Sequence, residues 1–235
     1  MLAVERLNVY IEASHILRDV SLAVGEREVV CLVGRNGAGK TTTLRSIMGY
    51  RRPHSGHIRF RGRDIVGARP SAVAQLGLGF APEDSAIFAD LTVGENVEIA
   101  TWTRKTARPA ADRLAQAYAA FPALRRYQGR KGTQISGGER KMLSIARALA
   151  LDPTMLLLDE PFEGLSPAII PEIGRSIFEI TKLGHSILIA ESNIHHVPDY
   201  TTRLYVIERG EIIFSGRPTE VESDRAVLRI IGGIP

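Results

Sequence analysis

The chain has 235 residues, 44% of them hydrophobic and 24% charged, and 30 basic against 26 acidic side chains leave a formal net charge of +4. That length suits one domain or two closely joined lobes around a buried core, and the ordinary glycine, proline and charge content excludes disordered and collagen-like classes. The longest apolar runs fall far short of the roughly 20 residues of a membrane-spanning helix, and the opening MLAVERLNVY has neither the basic nor the apolar region of a signal peptide. The lone Cys31 reads as a buried small hydrophobe suited to a reducing compartment.

In chain order, strands are expected at Val4 to Tyr10, Ile16 to Val24, Glu28 to Val33 and His57 to Arg61, the last after the turn Pro53-His54-Ser55-Gly56. A helix follows Gly39 through Leu44 to Met48, and a short strand runs from Gly77 to Ala81. From Val93 to about Leu151 the chain becomes Ala- and Arg-rich with helical spacing, as in Leu114, Ala117, Tyr118 and Phe121, or Met142, Ile145, Ala146 and Leu149. Asp152-Pro153 ends that stretch. A strand over Met155 to Leu158, a helix from about Ala168 to Lys182, a strand over Ser186 to Ala190 and a ribbon over Arg203 to Glu208 and Ile212 to Phe214 complete the pattern. The reading is an α/β core interrupted by a helical lobe.

Gly34-Arg35-Asn36-Gly37-Ala38-Gly39-Lys40-Thr41 matches G-x-x-x-x-G-K-[ST] in full, between an apolar strand and a helix. Glycines let the loop curl its N–H groups inward around phosphate oxygens, and the helix adds its positive end. Lys40 supplies an ammonium near the β- and γ-phosphates, and Thr41 a hydroxyl for Mg²⁺. Downstream by 119 residues, the apolar strand Met155-Leu156-Leu157-Leu158 ends in Asp159-Glu160. Strand alternation turns these carboxylates to opposite faces, one to hold Mg²⁺ (Asp159) and one to accept a proton from an attacking water (Glu160). Between the two lies Ile135-Ser136-Gly137-Gly138-Glu139, where Ser136 is a helix N-cap and the glycines leave the helix start open to an anion. Taken alone, that stretch is an ordinary capped helix.

These three elements, in this order, resemble the ATP-binding cassette of ABC transporters over nearly the whole chain, from about Leu2 to Gly233. The Walker A motif corresponds to Gly34–Thr41, the signature motif to Ile135–Glu139 and Walker B to Leu156–Glu160. The resemblance implies an α/β P-loop NTPase fold with a RecA-like core, an antiparallel β subdomain and a helical lobe. It implies one nucleotide-binding domain over 1–235, with 1–84 and 152–235 forming the core and β subdomain and 85–151 the helical signature subdomain. It implies further that ATP with Mg²⁺ is bound by Gly34 to Thr42, and that two cassettes, identical or homologous, sandwich two ATP head to tail against Ser136, Gly137, Gly138 and Glu139 of the opposite copy. The partners implied are integral membrane permease subunits at the cytoplasmic face of the inner membrane and, indirectly, a solute-binding protein. Stretches such as Ile87-Phe88-Ala89-Asp90-Leu91-Thr92-Val93 and Glu163-Gly164-Leu165-Ser166-Pro167 look closer to importers of branched-chain or hydrophobic amino acids and their urea and amide relatives. A soluble ABC-type ATPase outside transport is the alternative; a guanine-reading N-K-x-D stretch is missing from the sequence.

The sequence departs from the family pattern at several positions. Glu83 stands at the usual glutamine after Phe80-Ala81-Pro82, and its carboxylate still suits Mg²⁺. Ser192 takes the switch-histidine position, Ser166 replaces the usual aspartate, and Ile11, with Tyr10 beside it, stands where an aromatic side chain normally packs on adenine. Residues 101–150 carry eleven basic side chains against Asp112 and Glu139, a local +9 that leaves −5 on the remainder. That excess reads as a solvated helical face or as docking near an anionic membrane and ATP phosphates, not as nucleic-acid binding.

Overall fold

Val29 to Val33, three of them valine, form a strand buried at every residue, the pattern of a parallel strand covered on both faces. The computed structural model describes residues 1–221 and 223–232, so Gly233, where the resemblance ends, and the terminus of the 1–235 cassette lie outside the described residues. The strands are β1 (Leu2–Ile11), β2 (Ser14–Val24), β3 (Val29–Val33), β4 (Ser55–Phe60), β5 (Arg63–Asp64), β6 (Leu78–Ala81), β7 (Met155–Asp159), β8 (Ser186–Glu191), β9 (Arg203–Glu208) and β10 (Glu211–Gly216). The helices are α1 (Lys40–Ile47), α2 (Pro70–Gln75), α3 (Val93–Thr103), α4 (Ala110–Ala120), α5 (Pro122–Arg125), α6 (Gly137–Ala150), α7 (Ile170–Lys182), α8 (Pro218–Val221) and α9 (Arg225–Ile230).

The chain divides into two compact units, Met1–Val73 with Ser186–Pro235, and Ala74–His185. The expected helical lobe, 85–151, falls within the second. In the first unit an antiparallel sheet has the order β2-β1-β4-β5. Beside it β3 pairs in parallel with β8 and β9, and β9 returns antiparallel to β10. The β9–β10 turn falls on Arg209 and Gly210, both at positive φ, the conformation that suits the right-handed twist of a hairpin.

In the second unit β6 and β7 pair in parallel, with Ala81 opposite Leu158. The helical periodicity of 93–151 is broken where Pro109 precedes α4 and Pro122 opens α5, because proline lacks the N–H an interior turn requires. Met142, Ile145, Ala146 and Leu149 form the buried face of α6, and Ile173, Ile177 and Ile180 that of α7. The two-residue β5 and the short helices α2, α8 and α9 escape the periodicity because none spans enough turns to display it.

The basic excess of 101–150 requires correction, because two of its eleven cations are buried in the second unit and two more are half-buried with their guanidinium groups on backbone carbonyls. Arg113 is 3% exposed and donates to the carbonyls of Ala100, Thr101, Arg104 and Ala150, closing the C-terminal ends of α3 and α6. Arg104 donates to Gln75 and Asp152. Lys141 is buried with its ammonium on the Glu83 carbonyl at 2.7 Å, and Arg147 reaches the Ala86 carbonyl at 2.8 Å while its guanidinium stands over Phe88. A lysine or arginine held by carbonyls contributes charge to the composition without offering it to a partner.

Candidate nucleotide site

The chain leaves β3 through Gly34, whose N–H donates to the Glu191 carbonyl at 3.1 Å. A Cβ there would lie 2.3 Å from the Ile207 carbonyl oxygen, so only glycine lets the loop pass that close. Arg35, Asn36 and Gly37 form an exposed crest, after which Ala38, Gly39 and Lys40 are buried again. Gly39 has φ +116°, and a Cβ on it would meet Leu17 of β2 at 2.6 Å; both the left-handed backbone and the close approach require glycine. Gly39 is also the N-cap of α1, so the helix has no side-chain cap, and its first turn holds no acid. Lys40 Nζ donates to the Gly34 carbonyl at 2.7 Å and the Arg35 carbonyl at 3.2 Å, which keeps the ammonium under the loop. Thr41 and Thr42, in the first turn, are half-buried. A helix start without a side-chain cap, with a lysine ammonium held beneath the loop, suits an anion.

Ser192 follows β8 directly, and β8 pairs with β3 so that Glu191 lies opposite Val33. The first unit therefore brings Ser192 to the strand ends that carry the loop. Glu191 is wholly buried, with His196 Nδ1 3.4 Å from its carboxylate; the sequence reading assigned this buried acid nothing. Tyr10 and Ile11 end β1, before the β2 strand that touches Gly39. The Tyr10 ring stacks on His15 at 4.2 Å with an 8° interplanar angle, and meets His54 edge-on at 5.3 Å.

In the second unit Asp159 ends β7 and Glu160 follows it, 1% and 3% exposed. Two carboxylates so deeply buried are costly unless they are partnered or coordinate an ion, and both have partners within the structure. The alternation argument for opposite faces does not hold, because Glu160 lies past the strand at φ +49°, a left-handed turn that sets its direction independently of the pleat. The Ala81–Leu158 pairing brings Glu83, on the exposed segment after β6, to the same strand end as Asp159. Among the described residues no group of three His, Cys, Asp or Glu side chains gathers to hold a metal by itself.

Ser136 caps α6 as expected, with φ −67° and ψ 167°. Its hydroxyl accepts from the Glu139 N–H at 3.3 Å, and its own N–H donates to the Glu139 carboxylate at 2.6 Å. The serine and the glutamate three residues on are the sequence signature of this reciprocal cap, so the second half of the pair was open to reading and was missed. Gly137 is exposed and Gly138 is half-buried, with Ile169 3.0 Å from where a Cβ on Gly138 would lie. Burial works to raise the Glu139 pKa, but hydrogen bonds from the Ser136 N–H and hydroxyl and from Tyr127, with the charge of Arg130, hold it below the usual glutamate value. No local pattern links Tyr127 to Glu139; folding alone brings them together.

Residues 17–163 match the family described as ABC transporter. The lipopolysaccharide export system ATP-binding protein LptB of Haemophilus influenzae is 36% identical over 238 positions, covering 99% of this chain and 97% of that protein. The probable branched-chain amino acid transport ATP-binding protein LivF of Archaeoglobus fulgidus is 34% identical, covering 100% and 99%. A crystal structure of the ADP conformation of an ATP-binding cassette of an ABC transporter superposes with a TM-score of 0.85 at 26% identity, covering 100% of this chain and 99% of that one. With its strand–loop–helix at Gly34–Thr41 and whole-length relatives of this kind, the chain belongs to the ABC transporter family, as an ATP-binding subunit whose ATP hydrolysis is coupled to transport.

Proposed function

We propose that ATP is held by Gly34 to Thr42, with Lys40 on the β- and γ-phosphates. Thr41, Asp159 and Glu83 are the oxygen donors for Mg²⁺, and hydroxyl and carboxylate oxygens fit that ion, which is commonly held by one or two carboxylates together with phosphate oxygens. When bound, Mg²⁺ offsets charge developing on the phosphates. Glu160 accepts the proton of the attacking water, Ser192 donates its hydroxyl toward the γ-phosphate, and Tyr10 and Ile11 pack against adenine. Ser136, Gly137, Gly138 and Glu139 serve the ATP of a second cassette, identical or homologous. The observation that carries this reading is the uncapped start of α1 above a buried ammonium. The Glu160→Gln variant is expected to bind ATP normally and lose turnover by about a hundredfold or more, since an amide cannot take the proton. Near-normal hydrolysis by that variant removes Glu160 from the role.

The proposed setting is the cytoplasmic face of the cell membrane, docked on integral permease subunits, with a solute-binding protein acting through the permease. Among the described residues no helix is long and apolar enough to cross a membrane. The proposed solute is a branched-chain or hydrophobic amino acid, supported by the whole-length likeness to LivF and by the Ile87–Val93 and Glu163–Pro167 stretches. Urea or short amides stay within that importer class. Lipopolysaccharide export is the second reading, favoured by the 36% identity to LptB over 99% of this chain. Deleting the chain separates the two: loss of labelled leucine uptake supports import, while intact uptake with lipopolysaccharide retained at the inner membrane supports export.

A further inference from the structure

Between β6 and α3 the chain forms neither strand nor helix, so its backbone carbonyls must find partners outside a ladder or a helical turn. Three of them are met by side chains of α6. The buried Lys141 ammonium donates to the Glu83 carbonyl at 2.7 Å. The Arg147 guanidinium donates to the Ala86 carbonyl at 2.8 Å and the Ser85 carbonyl at 3.4 Å, and stands 5.2 Å from the centre of the Phe88 ring. From α3, the Asn96 side chain accepts from the Phe88 N–H at 2.8 Å and donates to the Phe88 carbonyl at 2.9 Å. Within this frame Ser85 and Ala86 take φ +62° and +41°. Side chains disfavour that left-handed backbone, and it persists only where surrounding groups fix it. Glu83 itself is exposed, so its backbone is tied from the interior while its carboxylate stays accessible.

We propose that Lys141 and Arg147 are positioning residues that fix the backbone of 83–86 so that the Glu83 carboxylate is held ready for Mg²⁺. The proposal rests on the reading of Glu83 as an oxygen donor to that ion. Each cation acts through backbone carbonyls, and both leave α6, the helix capped by Ser136. Without the Lys141 ammonium the Glu83 carbonyl loses its donor and the residue is freer to turn. Its carboxylate then holds the ion less well, as happens when a group that orients a metal ligand is lost. Nucleotide binding without the ion is untouched by this route, because it draws on Gly34 to Thr42.

The test is ATP binding by the full chain, titrated by calorimetry in Mg²⁺ and again in EDTA, with Glu160→Gln in every sample to prevent turnover. The gain in affinity that Mg²⁺ brings is the readout, and affinity in EDTA reports the fold. Lys141→Met keeps a buried stem and removes the ammonium. It is expected to cut the gain by about tenfold, the low end of the range for groups that orient a metal ligand, with affinity in EDTA unchanged. Glu83→Gln is expected to cut it at least as far. Adding Lys141→Met to Glu83→Gln is expected to cut it no further, because the lysine acts through the glutamate. Arg147→Met is expected to follow Lys141→Met, and Arg147→Lys, which keeps a cation for the Ala86 carbonyl, to recover most of the loss. If Glu83→Gln cuts the gain but Lys141→Met and Arg147→Met do not, or weaken binding equally in Mg²⁺ and EDTA, the positioning role is overturned and Glu83 keeps its place. An equal effect of Lys141→Met with and without Glu83→Gln overturns it as well. If Glu83→Gln leaves the gain unchanged, the metal reading of Glu83 falls and the positioning role falls with it.

Discussion

Helix α1 opens on Gly39 with no side-chain cap and no acid in its first turn, whereas α6 opens on Ser136 with the Glu139 carboxylate folded back on its N–H. Both are proposed phosphate sites, and the difference separates two jobs. The α1 start has only to exchange the carbonyls around Lys40 for phosphate oxygens, so it suits a site that holds nucleotide in the isolated chain. The α6 start already carries the Glu139 carboxylate on the Ser136 N–H, so it suits a site that engages when phosphate is presented to it at high local concentration, as an ATP on a second cassette would be. The largest expected effect tests the first half of this contrast. Lys40→Ala is expected to weaken ATP binding to the isolated chain by about a hundredfold, the loss of a charge-assisted contact in a buried site, read by titration calorimetry. Binding at full strength would move the primary site away from α1.

How far each region was legible in advance follows the same division. The β3–loop–α1 segment carries a complete pattern within Val29 to Leu44: a strand rich in valine, glycines at Gly34 and Gly39, then a helix. Local rules suffice to find it, although what the Gly34 and Gly39 backbones must clear, Ile207 and Leu17, lies outside the segment. Around Asp159 and Glu160 the local rule fails, since strand periodicity says nothing about a residue that leaves the strand in a left-handed turn. At α6 the serine cap is visible in the sequence, but the Arg130 guanidinium over the Tyr127 ring nearby is set by the fold. Arg113 fails for a related reason. Composition marks arginine as a surface charge, and only the convergence of the α3 and α6 termini reveals the carbonyls that its guanidinium fills.

The two capped helices sharpen the contrast further, because α3 provides the cap without a proposed site. Thr92→Ala and Ser136→Ala each remove an N-cap hydroxyl and are each expected to lower stability by about 1 kcal/mol. Only Ser136→Ala is expected to reduce steady-state hydrolysis at saturating ATP. Chemical denaturation and ATPase assays on the same preparations distinguish them. Equal loss of hydrolysis in both variants would mean that cap stability, rather than Ser136 itself, limits turnover, and the functional distinction between the helices would disappear.

The smallest effect follows from acid. In Glu95 the hydrogen bond from the Thr92 N–H, with that of its hydroxyl, lowers the pKa; in Glu139 burial opposes and the Ser136, Tyr127 and Arg130 interactions prevail, so it too is lowered. A carboxylate whose folded pKa lies below its unfolded value contributes stability that is present above about 4.5 and lost as pH falls through the folded value. Moving from pH 7 toward pH 4 and below should therefore loosen the first turns of α3 and α6. The first turn of α1, which has no acid to protonate, should be unaffected by this route. Hydrogen exchange, corrected for its intrinsic pH dependence, reads each helix start separately. Faster opening at Glu95 and Glu139 with Thr41 to Thr43 unchanged is the expected pattern. Loosening of α1 to the same degree would show that acid acts on the whole fold, so that the uncapped and the self-capped starts do not differ in what holds them.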